Sequence, residues 1–181
     1  MAYYKSPIGI LFITGTDEGL SRVDFADDVP GGMPGDVPLD KPGRANGKPG
    51  PDCIDDKPEP ECVRECIKQL DEYFRGERQD FDLKLNISGT EFQKKVWEQL
   101  KKIPYGQTAT YGEIAAAVGN PKACRAVGNA NNKNKISIII PCHRVIGGDG
   151  KLVGYGGGLW RKKWLLEHEK NISKMRKGSI T

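Results

Sequence analysis

Seven prolines and six glycines fall within the 32 residues from Asp27 to Pro58. Proline fixes φ and removes a backbone donor, and glycine raises the entropy cost of ordering the chain, so neither helix nor strand is expected to run through VPGGMPGDVP or KPGPD. The stretch reads as a flexible insertion, because structureless segments of this length are usually linkers or disordered. It leaves a short block in front and a long remainder behind. In front, Ile8 to Thr14 and Leu20 to Phe25 flank the turn signal Thr16-Asp17-Glu18-Gly19 and predict a β-hairpin. Behind, Val63, Ile67, Leu70 and Phe74 recur at three- and four-residue steps, predicting an amphipathic helix from near Pro60 that Gly76 stops.

The formal net charge of +4 conceals an asymmetry. Residues 1–85 hold 11 Lys/Arg against 18 Asp/Glu, whereas 86–181 hold 17 against 6, giving −7 and +11. A strongly basic half suggests a polyanionic partner, most simply nucleic acid, although a solvated basic face would look the same. Hydrophobic residues at 37%, charged residues at 29% and three Trp exclude a collagenous or wholly disordered chain. No window approaches a membrane span and the start MAYYKSPIGILF lacks a signal-peptide layout, so a soluble cytoplasmic protein is expected. The five cysteines, at 53, 62, 66, 124 and 142, are odd in number and irregular in spacing, which fits reduced thiols. Cys62 and Cys66 could present two metal ligands from one helix face, but no His or second Cys pair completes a set; no metal is expected.

The basic half opens on helical signals. Thr90-Glu91-Phe92-Gln93 is a capping box followed by Phe92, Val96, Leu100 and Ile103 on one face, ending before Pro104. Thr110-Tyr111-Gly112-Glu113 is a second box, predicting a helix with Ile114, Ala117 and Val118 inward and Gly119 as its stop. Asn120 is placed to cap a third helix with Pro121 in its first position, running over Lys122 to Asn132. Two short helices joined by Gly-Asn-Pro have the outline of a helix-turn-helix, though many such hairpins only pack. Lys122, Arg125 and Lys133 favour a DNA-facing second helix.

Ile136-Ser137-Ile138-Ile139-Ile140 is apolar and β-branched, and predicts a buried strand ending at Pro141-Cys142-His143-Arg144. A thiol at a rigid strand end, beside one of the chain's two His and an Arg, suits an activated nucleophile. A buried structural Cys is the alternative those residues leave open.

With Ile-Pro-Cys-His-Arg-Val at 140–145, Tyr155-Gly156-Gly157-Gly158-Leu159 and Trp164-Leu165-Leu166-Glu167-His168-Glu169, the basic half resembles the O6-alkylguanine-DNA alkyltransferases, also called methylated-DNA-protein-cysteine methyltransferases. The resemblance implies an N-terminal α/β domain over 1–85, ribonuclease H-like and interrupted by the 27–58 insertion. It further implies a mostly α C-terminal domain over 86–181 with a winged-helix-like helix-turn-helix. The implied activity is stoichiometric repair of double-stranded DNA: the Cys142 thiolate takes the alkyl group from O6-alkylguanine, and also from O4-alkylthymine, and keeps it as a thioether.

By the same resemblance His143 and Glu169 form a relay to Cys142, and Asn134 ties the DNA-binding helices to the nucleophile. Tyr111 rotates the phosphate and donates toward the leaving guanine, while Arg125 fills the place of the flipped nucleotide. Lys122, Ala123 and Lys133 complete the DNA-binding set, and Tyr155, Gly156 and Val145 line the pocket. A monomer without cofactor is expected. The flipping agrees with elementary chemistry, because an O6 substituent inside a duplex is out of reach of a buried thiol. His168 is expected to be a surface or packing residue. The family's occasional N-terminal zinc site finds no His here, and Gly156 stands where a slightly larger residue is common, so pocket tightness stays open.

At an ordinary thiol pKa of about 8.5, roughly 3% is ionised at neutral pH, and lowering it to about 6 gains about thirty-fold in thiolate. Nucleophilicity falls with a slope of about 0.4–0.5, returning roughly ten- to twenty-fold. Most acceleration is therefore assigned to in-line positioning and to protonation of the leaving guanine by Tyr111. Two rivals stand beside this reading: a non-catalytic damage sensor or DNA-binding regulator, which intact Cys142 disfavours, and a thiol hydrolase, which the basic half and Arg125 disfavour.

Overall fold

The computed structural model describes residues 1–28 and 59–178. Two compact units emerge: 1–78 with 82–86, and 79–81 with 87–181. Of the expected insertion, Asp27 and Asp28 belong to a short 3-10 turn, Ala26–Asp28, and 29–58 lie outside the described residues.

The first unit is an antiparallel sheet of β1 (Ala2–Ser6), β2 (Gly9–Thr16) and β3 (Gly19–Phe25) in that order, covered by α1 (Glu61–Phe74). The hairpin predicted from the turn signal is β2–β3, with Thr16 opposite Gly19 and a bulge at Thr14/Gly15. β1 is an addition to the sequence reading. Alternation places Tyr4 and Ser6 inward, but the strand is too short and polar to announce itself. Gly19 is obligatory, at φ +132° with an added Cβ falling 2.6 Å from the Lys84 carbonyl oxygen. That closeness lets Lys84–Asn86 pair with the sheet, through Leu20 N–H to the Lys84 carbonyl and Asn86 N–H to the Leu20 carbonyl, both 2.8 Å.

α1 lies where predicted, with a rotated face. Val63, Cys66, Gln69, Leu70 and Tyr73 are buried, whereas Ile67 and Phe74 are half-buried. Gln69 is inside because its amide pairs with the backbone of Asp82 in both directions, at 2.8 and 2.9 Å. An apolar-only periodicity misses such a residue.

The second unit is mostly helical: α2 (Glu91–Lys101), β4 (Ala109–Thr110), α3 (Tyr111–Ala117), α4 (Cys124–Asn132), β5 (Val145–Ile146) and α5 (Leu159–Gly178). Both predicted capping boxes are present, Thr90 with Gln93 and Thr110 with Glu113. α2 packs on α3 and α4, and the Trp97 indole N–H reaches the Ala130 carbonyl at 2.9 Å. Among the described residues no helix is long and apolar enough to cross a membrane.

Three local expectations need correction. Ile114 and Ala115 are the buried residues of α3, while Ala117 is exposed and Val118 half-buried. α4 starts at Cys124 rather than Lys122, because Asn120 to Ala123 closes a turn, with the Ala123 N–H on the Asn120 carbonyl at 2.9 Å. Proline suits the second position of such a turn as well as the first of a helix. Ile136–Ile140 is buried but is not a strand. It doubles back, with Ile139 N–H on the Ser137 carbonyl, Ile140 N–H on the Ile136 carbonyl, and Ile138 at φ +73°. A β-branched residue at that φ is strained, so the surroundings must hold it there.

Candidate active site

The clamp on that turn is Asn134, just beyond α4. Its Oδ1 accepts from Ile136 N–H at 3.0 Å, and its Nδ2 donates to the Ile140 carbonyl at 2.9 Å and to Cys142 Sγ at 3.2 Å. One carboxamide thus satisfies the bent backbone and touches the thiol. Cys142 opens a 3-10 turn, Cys142–Arg144, and is 5% exposed.

Behind it lies a buried ionic cluster. His143 Nε2 is 2.9 Å from Glu169 Oε1, and both side chains are fully buried. Arg144 grips the same carboxylate through Nε and Nη2, each at 2.9 Å, and donates from Nη1 to the Ile103 carbonyl at 2.7 Å. Gly106 N–H adds a further donor to Glu169 at 3.0 Å. Burial alone would raise the Glu169 pKa, but His143 and Arg144 outweigh it and hold the carboxyl well below its ordinary range. For His143 the balance is reversed: burial pushes the imidazole down, more than Glu169 pulls it up. A neutral ring donating from Nε2 to an ionised Glu169 leaves Nδ1 as a free acceptor, and that nitrogen is buried with no hydrogen-bond partner among the described residues.

Tyr111, within electrostatic reach of the thiol, begins α3 and donates to the Val153 carbonyl at 3.1 Å. Lys162, fully buried, donates to the same carbonyl at 2.6 Å and to that of Gly154 at 3.3 Å. Burial lowers its ammonium to about 8, opposed by the charge of Cys142. Tyr155 is half-buried, Gly156 exposed, and nothing lies within 4 Å of a Cβ built on Gly156. Val145 is fully buried in β5, opposite Ala109. Arg125, Lys122 and Lys133 are exposed on and around α4, with Ala123 half-buried at its start. The structure therefore gathers Cys142, His143, Glu169 and Asn134 into one cluster with Tyr111 nearby, and leaves the basic set on the surface. His168 stacks on Trp164 at 4.9 Å, a packing role.

Residues 1–87 match the ribonuclease-like domain of 6-O-methylguanine DNA methyltransferase, and 91–171 match its DNA-binding domain. The chain belongs to the 6-O-methylguanine DNA methyltransferase family. A Methanosarcina acetivorans methylated-DNA--protein-cysteine methyltransferase is 49% identical over 168 residues, covering 93% of this chain and 96% of that one. The Mycobacterium leprae protein of the same name is 58% identical over 114 residues, 63% of this chain and 69% of its own. Among solved structures, Mycobacterium tuberculosis OGT in complex with DNA is 42% identical, covers 94% of this chain and 92% of its own, and superposes with a TM-score of 0.73.

Within this family member, sequence reasoning passed over Lys162, the anchoring role of Arg144, and Asn131. A signal for Lys162 was present: Lys162, Leu165 and Glu169 are spaced by three and four, one buried face of α5. A search for apolar periodicity skips a face that carries two charges. Arg144 was visible only as a neighbour of the nucleophile, since its partners come from Ile103 and Glu169, far away in sequence.

Proposed function

We propose that this protein repairs alkylated DNA by moving the alkyl group from O6 of guanine, and from O4 of thymine, to Sγ of Cys142 in a single irreversible turnover. The observation that carries this reading is a neutral, buried His143 anchored through Nε2 to Glu169, its Nδ1 left as an acceptor, adjacent in the chain to a thiol already held by Asn134. His143 Nδ1 takes the thiol proton, directly or through one water. The sulfur then attacks the alkyl carbon in line, the S–C bond forms as the C–O6 bond breaks, and the electron pair leaves with guanine. Tyr111 gives its proton to that leaving base. The imidazolium and phenolate are neutralised by exchange with water.

A thiol that is only 5% exposed requires the damaged base to leave the duplex, at a cost of a few kcal/mol that unpaired or damaged bases reduce. Arg125 occupies the gap, while Lys122, Ala123 and Lys133 position the phosphates. Tyr155, Gly156 and the backbone at Val145 receive the base. Lys162 places a cation within electrostatic reach of Cys142 and favours its thiolate. The protein acts as a monomer, in the cytoplasm, without a cofactor.

Intact and peptide mass spectrometry after incubation with duplex DNA carrying one O6-methylguanine tests this. A single methyl on Cys142, absent from Cys142→Ala and limited to one equivalent, is expected. Tight lesion binding with no mass increment would replace the reading with that of a damage sensor.

A further inference from the structure

Asn131 lies in the last turn of α4, 5% exposed, and neither end of its carboxamide closes an ordinary hydrogen bond among the described residues. Stability alone does not explain such a residue. A buried amide without partners forfeits its hydration at both ends, and an apolar side chain there would carry no such loss. A group of this kind needs a role beyond packing.

Its surroundings identify one. A Cβ built on Gly128, one turn earlier on the same face of α4, would lie 3.8 Å from Cε1 of Tyr111, so the phenol ring runs along that face. Gly128 lets the ring approach, and Asn131 lies three residues on along the same face; burial raises the Tyr111 pKa, and the nearby Asn131 amide acts against that rise. The phenolic proton meanwhile points to the Val153 carbonyl. The arrangement sets an unpartnered buried amide along the helix face the tyrosine packs on, while the tyrosine proton is parked on a loop carbonyl.

We propose that Asn131 is a positioning residue for alkyl transfer, its Nδ2–H holding the Tyr111 oxygen while the hydroxyl turns its proton from Val153 to the leaving guanine. The inference rests on the proton-donor role proposed for Tyr111. In the transfer step the O–H bond of Tyr111 breaks, the guanine anion gains the proton, and the resulting phenolate accepts a hydrogen bond from Asn131 Nδ2–H until water reprotonates it. A donor aimed at the atom where charge develops strengthens as the proton leaves, so its effect falls on the transfer step rather than on DNA binding.

The test is a double-mutant cycle on the full chain: wild type, Tyr111→Phe, Asn131→Leu and the double variant. The measurements are the single-turnover rate at saturating O6-methylguanine duplex and the affinity for that duplex. Asn131→Leu is expected to slow saturating transfer about tenfold with unchanged affinity, and to add nothing in the Tyr111→Phe background. Independent, multiplicative losses would overturn the proposal, as would a leucine variant that transfers at the wild-type rate. Normal transfer by Tyr111→Phe alongside a slow Asn131→Leu would instead remove the proton-donor role of Tyr111. Should leucine disturb α4, Asn131→Ser against Asn131→Ala supplies the same comparison: serine, which keeps a donor, is expected to transfer faster than alanine only when Tyr111 is present.

Discussion

Among the described residues, the first unit buries Ser6 and Gln69 as its polar groups, whereas the second buries Asn131, Asn134, His143, Arg144, Lys162 and Glu169 among others. Gln69 is paired on both sides with one backbone segment and behaves as a substitute for a strand partner. Four of those named in the second unit are ionisable, and they come from the turn at Cys142 and from α5, beside a thiol that Asn134 also touches. Removing ions from water is expensive, and a hydrophobic cluster of equal volume is often as stable or more so. The contrast separates a unit whose buried polar groups complete its backbone pairing from one whose interior gathers ionisable groups beside a thiol.

Glu169→Gln breaks that contrast most strongly. It leaves the Arg144 cation buried without its counter-charge, and a loss of about 3–5 kcal/mol is expected. Hydrogen exchange followed by mass spectrometry should show the loss in amides of 87–178, with those of the sheet unchanged. Equal loss in both units would mean that the cluster also supports the first unit.

Acidification acts in the same direction by titration. The depressed pKa of Glu169 contributes stability that is complete above its ordinary value of 4.5 and disappears as pH falls through the lower folded value. His143, buried and neutral, contributes stability that is complete above 6.5 and erodes below it, because the unfolded imidazole takes up its proton first. The second unit should therefore begin to weaken below about pH 6.5 and weaken more steeply below about 4.5. Fluorescence of Trp97, Trp160 and Trp164, all in that unit, reports it. A flat signal through this range would show that the cluster carries no net linkage.

Gly19→Ala probes the other side of the comparison. The positive φ and the Lys84 carbonyl oppose a side chain, and about 1–3 kcal/mol of the first unit's stability should be lost. The rate of alkyl transfer per folded molecule should not change; a slower rate would tie the sheet to the chemistry. Smallest is Thr110→Ala, which removes the cap of α3 at a cost of about 1 kcal/mol. Because Tyr111 follows that cap directly, transfer should slow more than this stability loss accounts for, as read by single-turnover kinetics beside urea denaturation.

Both capped helices, the β2–β3 hairpin and the span of α1 could be read from the chain, since caps, turn residues and apolar spacing act within a few residues. The start of α4 could not, because Asn-Pro serves a turn and a helix N-terminus equally. Nor could the shape of Ile136–Ile140: its composition suits a strand, and the Asn134 side chain imposes a turn instead.

The site divides along the same line. The run from Pro141 to Arg144 places a thiol, an imidazole and a guanidinium next to one another by covalent adjacency, which is why their chemistry could be read before any fold was known. What only the tertiary structure decided was their ionisation and their partners. Glu169 comes from 26 residues away to meet His143, the buried ammonium of Lys162 comes from α5, and Asn131 is left without an ordinary hydrogen bond beside the tyrosine of another helix. Residue type and order are local properties, whereas burial, charge pairing and an unmet hydrogen bond arise only when distant segments exclude water together.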